Sequence, residues 1–477
     1  MTKKFILSVL ALALVMAVPA NAQYIGGKPA PVPEPVEIPE DTLADYFRTD
    51  STLVLTLDDA LKIALSENVS VKVADMEVTR TEYAKKGTYA ALFPQINGTG
   101  SYQRTLVRND IRAMMGDSDL TKAMANTKIG SLNSFSLGVS ASMPIINAPL
   151  WKSIEISGLG VEAAVEKAKA SKLDMMTQVK SAYYGVLLAK KSFAVYKEVY
   201  ENAVANFDKI EKKYKAQKAS EMEYLRAKTT VSNAVPNIFN AESSVILALW
   251  QLKAVIGLDL DRDIDTEGTL DAYAAELFGE KVDTELDLSN NTTLRQLDIQ
   301  LRQLRESVKL TAYGYIPTVS ASISLTYSAV ANDPVKELGW FPYSFAGLSL
   351  SIPIFSGHKR VYDIRQTKTQ AAELELQRDD TERNLRIAAQ NYYITMETNM
   401  KSFYSAQDAV ESAQKSYDIV SKSYELGRAT LTDLNDAQLA VVQSQMSQSQ
   451  AVYSYIVAKS QLEQILGVEV PYTDEEE

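Results

Sequence analysis

The chain has 477 residues, a formal net charge of -11, no cysteine and a single histidine, His358. Without cysteine there can be no disulfide, thiolate metal site, thiol nucleophile or lipid-modified N-terminal cysteine. Acidic charge spread evenly, with no basic cluster, argues against a nucleic-acid partner, and the length is ample for more than one core.

Residues 1–22 read as a secretory signal: Lys3 and Lys4 start it, Phe5 to Val18 form the apolar stretch, and Ala20-Asn21-Ala22 is a small-residue cleavage site. That stretch is short for a span, and no other run approaches the roughly 20 apolar residues of a transmembrane helix. Its removal takes the net charge to -13. In residues 23–50, Pro29, Pro31, Pro33, Pro35 and Pro39 favour an extended polyproline linker. Helical patterning is predicted from near Leu55 to about Ala91, with Thr56 as cap and Asp58 and Asp59 in the first turn, until Phe93-Pro94 stops it.

After Pro94 the apolar period changes to 2. Leu137, Val139, Ala141 and Met143 alternate with serine and glycine, Val319 to Tyr327 alternates with serine and threonine, and Ala346 to Ile352 does the same. A weaker fourth alternation covers Gln95 to Thr105. These predict strands of roughly 10 residues with one apolar face and one small polar face, as in a membrane barrel. A soluble sandwich strand would alternate too, but the polar faces here carry hardly a charge. Four strands cannot close a barrel, and open edges cannot persist in lipid, so other copies must complete the sheet; three copies would supply about 12 strands. Pro94, Pro144, Pro317 and Pro353 mark the junctions between strands and helices. Phe93, Trp151, Tyr315 and Phe355 gather at the same junctions, while Trp340, Phe341 and Tyr343 are placed in the loop between the later strands, suggesting two interfacial aromatic belts or packing under a loop.

A repeat organises the rest. Met175, Val179, Ala182, Val186, Ala189 and Phe193 open a stripe that steps by fours and threes to Tyr214, and adding 210 gives a second, from Leu385 to Tyr424. Such a 3.5-residue stripe needs a long partner helix. Long helices are therefore predicted from Leu150 to about Gln217 and from about Lys359 to Leu426, each roughly 100 Å long at 1.5 Å per residue. Each turns, at Lys215 to Ser220 or Gly427 to Thr430, and returns to Gly257 or Gly467. The divisions are a first repeat at 51–257, a polar, irregular equatorial segment at 258–290, a second repeat at 291–467 and an acidic tail at 468–477.

Read together, Leu55-Thr56-Leu57-Asp58-Asp59-Ala60-Leu61, Leu92-Phe93-Pro94, Ile352-Pro353-Ile354-Phe355-Ser356-Gly357 and the run from Tyr424 through Gly427, Asp433 and Asp436 to Ala437 resemble the TolC family of outer-membrane efflux proteins. The resemblance covers nearly all of the chain after the signal. It implies a mixed α and β membrane protein: a trimeric 12-stranded outer-membrane β-barrel, four strands per protomer, continued by a long α-helical coiled-coil barrel in the periplasm. It also implies a homotrimer, outer-membrane lipid around the strands, a periplasmic adaptor (membrane fusion protein) and an inner-membrane pump, serving efflux or type I secretion. By the same resemblance, Tyr424, Glu223 and Arg428 restrain a periplasmic gate, Arg428 being one residue out of register. Adaptor docking is expected at Lys215, Gln217, Lys218, Ser220, Gly427, Ala429 and Thr430. The first turn lacks the glycine that Gly427 supplies in the second, so identical adaptor contacts at the two turns are not expected. Asp433 and Asp436 share one helix face by their i,i+3 spacing and match the family's acidic constriction, which makes them the candidates for ion selection in a narrow neck. The competing reading is two first-turn acids favoured by the helix dipole.

No phosphate loop, metal-spaced ligand cluster or nucleophile elbow is present, so no enzyme, cofactor or metal is expected. His358 sits in a Gly-His-Lys junction and reads as solvated or interfacial. The rival to a duct is a periplasmic or surface coiled-coil scaffold without a pore.

Overall fold

The computed structural model describes residues 52–110, 128–277, 287–332 and 338–468. The expected signal, the linker and the tail beyond Val468 lie outside the described residues. In chain order the elements are β1 (Leu53–Leu55), α1 (Leu57–Glu67), α2 (Val69–Ala90), β2 (Gln95–Arg104), β3 (Asn109–Asp110), β4 (Lys128–Ile129), β5 (Asn133–Ile146), α3 (Ala148–Lys215) and α4 (Glu221–Ile256). There follow β6 (Ile264–Thr266), α5 (Leu270–Leu277), α6 (Thr292–Tyr313), β7 (Thr318–Ala331), β8 (Gly339–Ser351), α7 (Lys359–Glu425) and α8 (Leu431–Leu466).

The first predicted helix is two helices. Thr56 caps α1 as expected, accepting from the Asp59 amide at 3.1 Å. Asn68, with an extended backbone, ends α1 and starts α2, its Oδ1 accepting from the Ser70 amide at 2.8 Å. Leu55 lies outside the helix, in β1, which pairs in parallel with β6. The 258–290 segment is accordingly less irregular than expected, since it contributes β6 and α5. Its apolar residues Ile264, Leu270 and Ala274 join Leu55, Leu61, Val179, Tyr183 and Leu252 in the main buried cluster, where each large side chain contributes roughly 1.5–3 kcal/mol. The Tyr183 hydroxyl closes the joint by donating to the Glu267 carbonyl at 2.7 Å, with the Leu55 carbonyl 3.2 Å away, and burial pushes that phenol far up.

Four strands form an antiparallel sheet in the order β2-β5-β7-β8. Its register keeps the two faces distinct: Ala141, Ile323 and Ala346 align on the apolar face, and Ser140, Ser324 and Phe345 on the other. Every residue of the edge strands β2 and β8 is exposed. Trp340, Phe341 and Tyr343 are not in a loop; they lie in β8 opposite Ala329, Ser328 and Thr326. Pro342 hides this strand in the sequence, and an edge position is where a sheet tolerates proline.

Below the sheet, α3 and α7 run 68 and 67 residues. Helix α3 packs against α4, α8, α2 and α6, while α7 packs mainly on α8 and α6. Position explains an imbalance between the two equivalent stripes. On α3, Met175, Val179, Val186, Ala203 and Ile210 are buried, whereas the α7 stripe buries only Ala389, Met396 and Ala406 and is otherwise half-covered; Ile387, Ile394 and Ile419, which lie off that stripe, are exposed.

The short helices stack end to end. Asn68 caps α2 with its Oδ1 while its Nδ2 donates to the Val255 carbonyl at the end of α4, 2.7 Å away. Asn291 repeats the device, accepting from the Leu294 amide at 2.9 Å and donating to the Ile465 carbonyl at the end of α8 at 2.7 Å. One amide thus satisfies orphan groups at two helix ends, so that α4 continues into α2, and α8 into α6, alongside the unbroken α3 and α7. At the foot of the sheet, Lys152 of α3 is 8% exposed and sits 2.5 Å from both Glu155 and Glu306, which ties α3 to α6. Lys152 and then Lys309 hold the Glu306 carboxyl below its usual range, so this tie is present at neutral pH and fades as pH falls through the lowered value.

Candidate functional site at the hairpin tips

The two long hairpins turn with the same backbone. Gln217 has φ +57° and Gly427, 210 residues later, φ +72°. Gln217 N donates to Tyr214 O at 2.9 Å and Lys218 N to Lys213 O at 2.8 Å; Gly427 N to Tyr424 O and Arg428 N to Ser423 O repeat these distances. The missing glycine therefore leaves the main chain unchanged: Gln217 takes the left-handed conformation without glycine's freedom. Gln217→Gly should stabilise the first tip by about 1 kcal/mol, read as slower amide hydrogen exchange around Lys215 to Ser220.

Each returning helix starts with a capping box. Ser220 Oγ accepts from the Glu223 amide at 3.2 Å while Glu223 Oε2 accepts from the Ser220 amide at 2.9 Å. Thr430 and Asp433 do the same at 3.2 and 2.8 Å, and Thr430 Oγ1 donates to Asp433 Oδ2 at 2.7 Å. These bonds from Thr430, backbone first, hold the Asp433 carboxyl below its usual range. Asp433 is thus a cap, and Asp436 lies exposed one turn further along α8.

Of the residues expected to dock an adaptor, Lys215, Gln217, Lys218, Ser220, Gly427 and Thr430 are exposed and Ala429 is half-buried, all at the two turns. Tyr424 packs on Ile210, Ala227, Leu431 and Leu434, where the two hairpins meet. Burial, and then the Glu223 carboxylate, raise its phenol, and Asn206 of α3 hydrogen-bonds it. Tyr424 and Glu223 are therefore brought together, although Glu223 spends its carboxylate on the cap. Arg428 is exposed beyond them.

Sequence reasoning missed the polar tie between the hairpins, in which Lys209 Nζ lies 2.9 Å from Glu425 Oε1. The signal was a break in the repeat, because the positions 210 residues away hold Ile419 and Lys215, which cannot pair. Stacking of Tyr214 on Tyr224, with centroids 4.9 Å apart, also went unseen. His358 precedes α7 at φ +62° with its ring against Phe355, and no metal-holding cluster occurs among the described residues.

Comparison with known proteins agrees with this architecture. A family model described as outer membrane efflux protein matches residues 60–258 and 285–468. The outer membrane protein TolC of Vibrio cholerae is 19% identical over 384 residues, 79% of this chain and 83% of that protein. The pyoverdine export outer membrane protein OpmQ of Pseudomonas aeruginosa is 24% identical over 428 residues, 86% of this chain and 85% of its own. Among solved structures, the Campylobacter jejuni CmeC outer membrane channel shares the fold with a TM-score of 0.70 at 16% identity, over 96% of this chain and 94% of that one.

Proposed function

The chain belongs to the outer membrane efflux protein family and is an outer-membrane exit duct, and from that premise we propose that three copies close it and that a periplasmic adaptor and an inner-membrane pump feed it. One observation carries the assembly: a four-stranded sheet with two exposed edges continues into a helix layer whose α7 flank leaves Ile387, Ile394 and Ile419 uncovered. Edge strands in lipid must be paired, and a second copy presenting β2 and α4 to β8 and α7 pairs both at once. Three such seams close the ring and use about 12 strands. Detergent-extracted, heat-modifiable trimers that conduct ions across planar bilayers test this; a stable folded monomer in detergent would overturn it.

Adaptor docking centres on the turns, Lys215 to Ser220 and Gly427 to Thr430. Between them, α4 and α8 leave a groove lined by Met222, Leu225, Arg226, Leu431 and Asn435, with Met222 and Leu225 more than half exposed. That combination of apolar floor and polar rim suits the end of a helical hairpin.

The closed entrance is held by Tyr424 and Glu223, with Arg428 at the rim, and Lys209–Glu425 strengthens that restraint within each protomer. An exposed ion pair is weak and salt-sensitive, which suits a contact that must open. Lys209→Glu is expected to raise single-channel conductance about twofold, and combining it with Glu425→Lys to restore the resting value, since the pair is reversed rather than lost. Asp433 and Asp436 form two carboxylate rings in the neck and select cations there.

A further inference from the structure

Three aromatic rings of β8 lie on the wrong face of the sheet for their chemistry. Residues opposite one another in an antiparallel ladder share a face. The pairs Ser328 with Phe341, Thr326 with Tyr343 and Ser324 with Phe345 therefore place three rings on the hydroxyl-lined face. The apolar face is already supplied by Ala346, Leu348 and Leu350, opposite Ile323, Ala321 and Val319, and it also takes Trp340. Phe341 is 64%, Tyr343 65% and Phe345 48% exposed, and the Tyr343 and Phe345 centroids are 6.0 Å apart. Large rings in a row on a water-facing surface forgo burial, which marks a binding surface more often than a packing one.

Closure of the barrel does not cover them. The strand that meets β8 across a seam is the opposite edge, β2 of a second copy. On the hydroxyl-lined face β2 presents Gln95, Asn97, Thr99, Ser101 and Gln103, opposite Ser142, Ser140, Gly138, Ser136 and Ser134 of β5. Among the described residues none of these gives the rings an apolar partner, so the edge strand of a second copy is not their occupant. What remains is the solute that moves past. We propose that Phe341, Tyr343 and Phe345 form a stacking track for uncharged aromatic small molecules inside the outer half of the barrel, the half away from the helices. Flat rings exchange along such a row with little reorientation, while the neighbouring serine and threonine hydroxyls and the Tyr343 hydroxyl meet polar substituents. This rests on the duct reading.

The test uses full-length trimers in planar bilayers with N-acetyltryptophanamide as the probe and N-acetylglycinamide as its ring-free control. The tryptophan amide should interrupt the current and the glycine amide should not. The triple change Phe341→Ser, Tyr343→Ser, Phe345→Ser, which matches the small hydroxyl residues of the facing β7, should raise the half-blocking concentration at least tenfold at unchanged trimer yield and conductance. Tyr343→Ser alone, should the triple variant fail to assemble, should raise it about threefold. Equal block of parent and ring-deleted channels overturns the track, as does a loss of block on Trp340→Ser, whose ring is on the lipid face. Absence of any current from the parent trimer would instead overturn the duct reading.

Discussion

Gly467→Ala is expected to abolish the heat-resistant trimer, whereas the equivalent change at the other joint, Gly257→Ala, should only weaken it. Both glycines end a returning helix in the left-handed region, at φ +66° and +80°. An alanine pays about 1–2 kcal/mol for that conformation at either place. The space around them differs. A Cβ on Gly257 would stand 2.9 Å from the Glu67 carbonyl oxygen and 3.0 Å from its carbon, so the main chain must shift there too, but by less. A Cβ on Gly467 would overlap the Asn290 carbonyl oxygen and stand 2.7 Å from its carbon, and neither is the end of a flexible side chain. Relief there requires α8 to move away from α6, and that movement breaks the Asn291 bond to Ile465. Strain, overlap and a lost cap together cost about 3–5 kcal/mol, at the exceptional end for a single substitution. Thermal melting of the trimer in detergent measures it: a fall for Gly467→Ala no larger than that for Gly257→Ala would show that the joint yields.

The parts of this fold that were legible from sequence are those encoded locally. A stripe held at 3.5 residues for about 40 residues is a one-dimensional signal, and both long helices ended within two residues of the prediction, at Lys215 and Glu425. The strands were legible because serine alternates with aliphatic residues, and β8 was misread where Pro342 interrupts that alternation. What remained hidden depends on partners remote in the chain. Asn68 reads as an ordinary polar residue within a helix until the end of α4, 187 residues away, supplies the carbonyl that its amide bonds. Lys209 and Glu425 are 216 residues apart, and no periodicity links them. The left-handed Gln217 was unreadable for another reason: the turn's conformation is imposed by two helices that must run antiparallel, and the residue follows.

Changing both Asp433→Asn and Asp436→Asn should lower cation over anion permeability and raise the concentration of a trivalent cation needed for half-block by roughly tenfold, with the trimer intact. Asparagine separates the two roles open to Asp433. Thr430 donates both its amide and its hydroxyl to the same oxygen, Oδ2, and an amide oxygen can accept these bonds as a carboxylate oxygen does. The cap survives while the charge goes. Asp433→Ala, by contrast, removes the acceptor as well, so it should both weaken block and loosen the start of α8. The pH dependence has a definite sign. Because hydrogen bonds from Thr430 depress the Asp433 carboxyl, that group keeps its charge as pH falls through the usual carboxylate range and loses it only on passing the lowered value. The stabilisation of the helix start follows the same course, being present above the unfolded-state value and lost as pH falls through the folded one. Trivalent block of the parent channel should therefore persist below the usual carboxylate range of pH. Recordings in which the double asparagine variant keeps its selectivity and its block would leave Asp433 as a cap and place the selecting charges elsewhere in the duct.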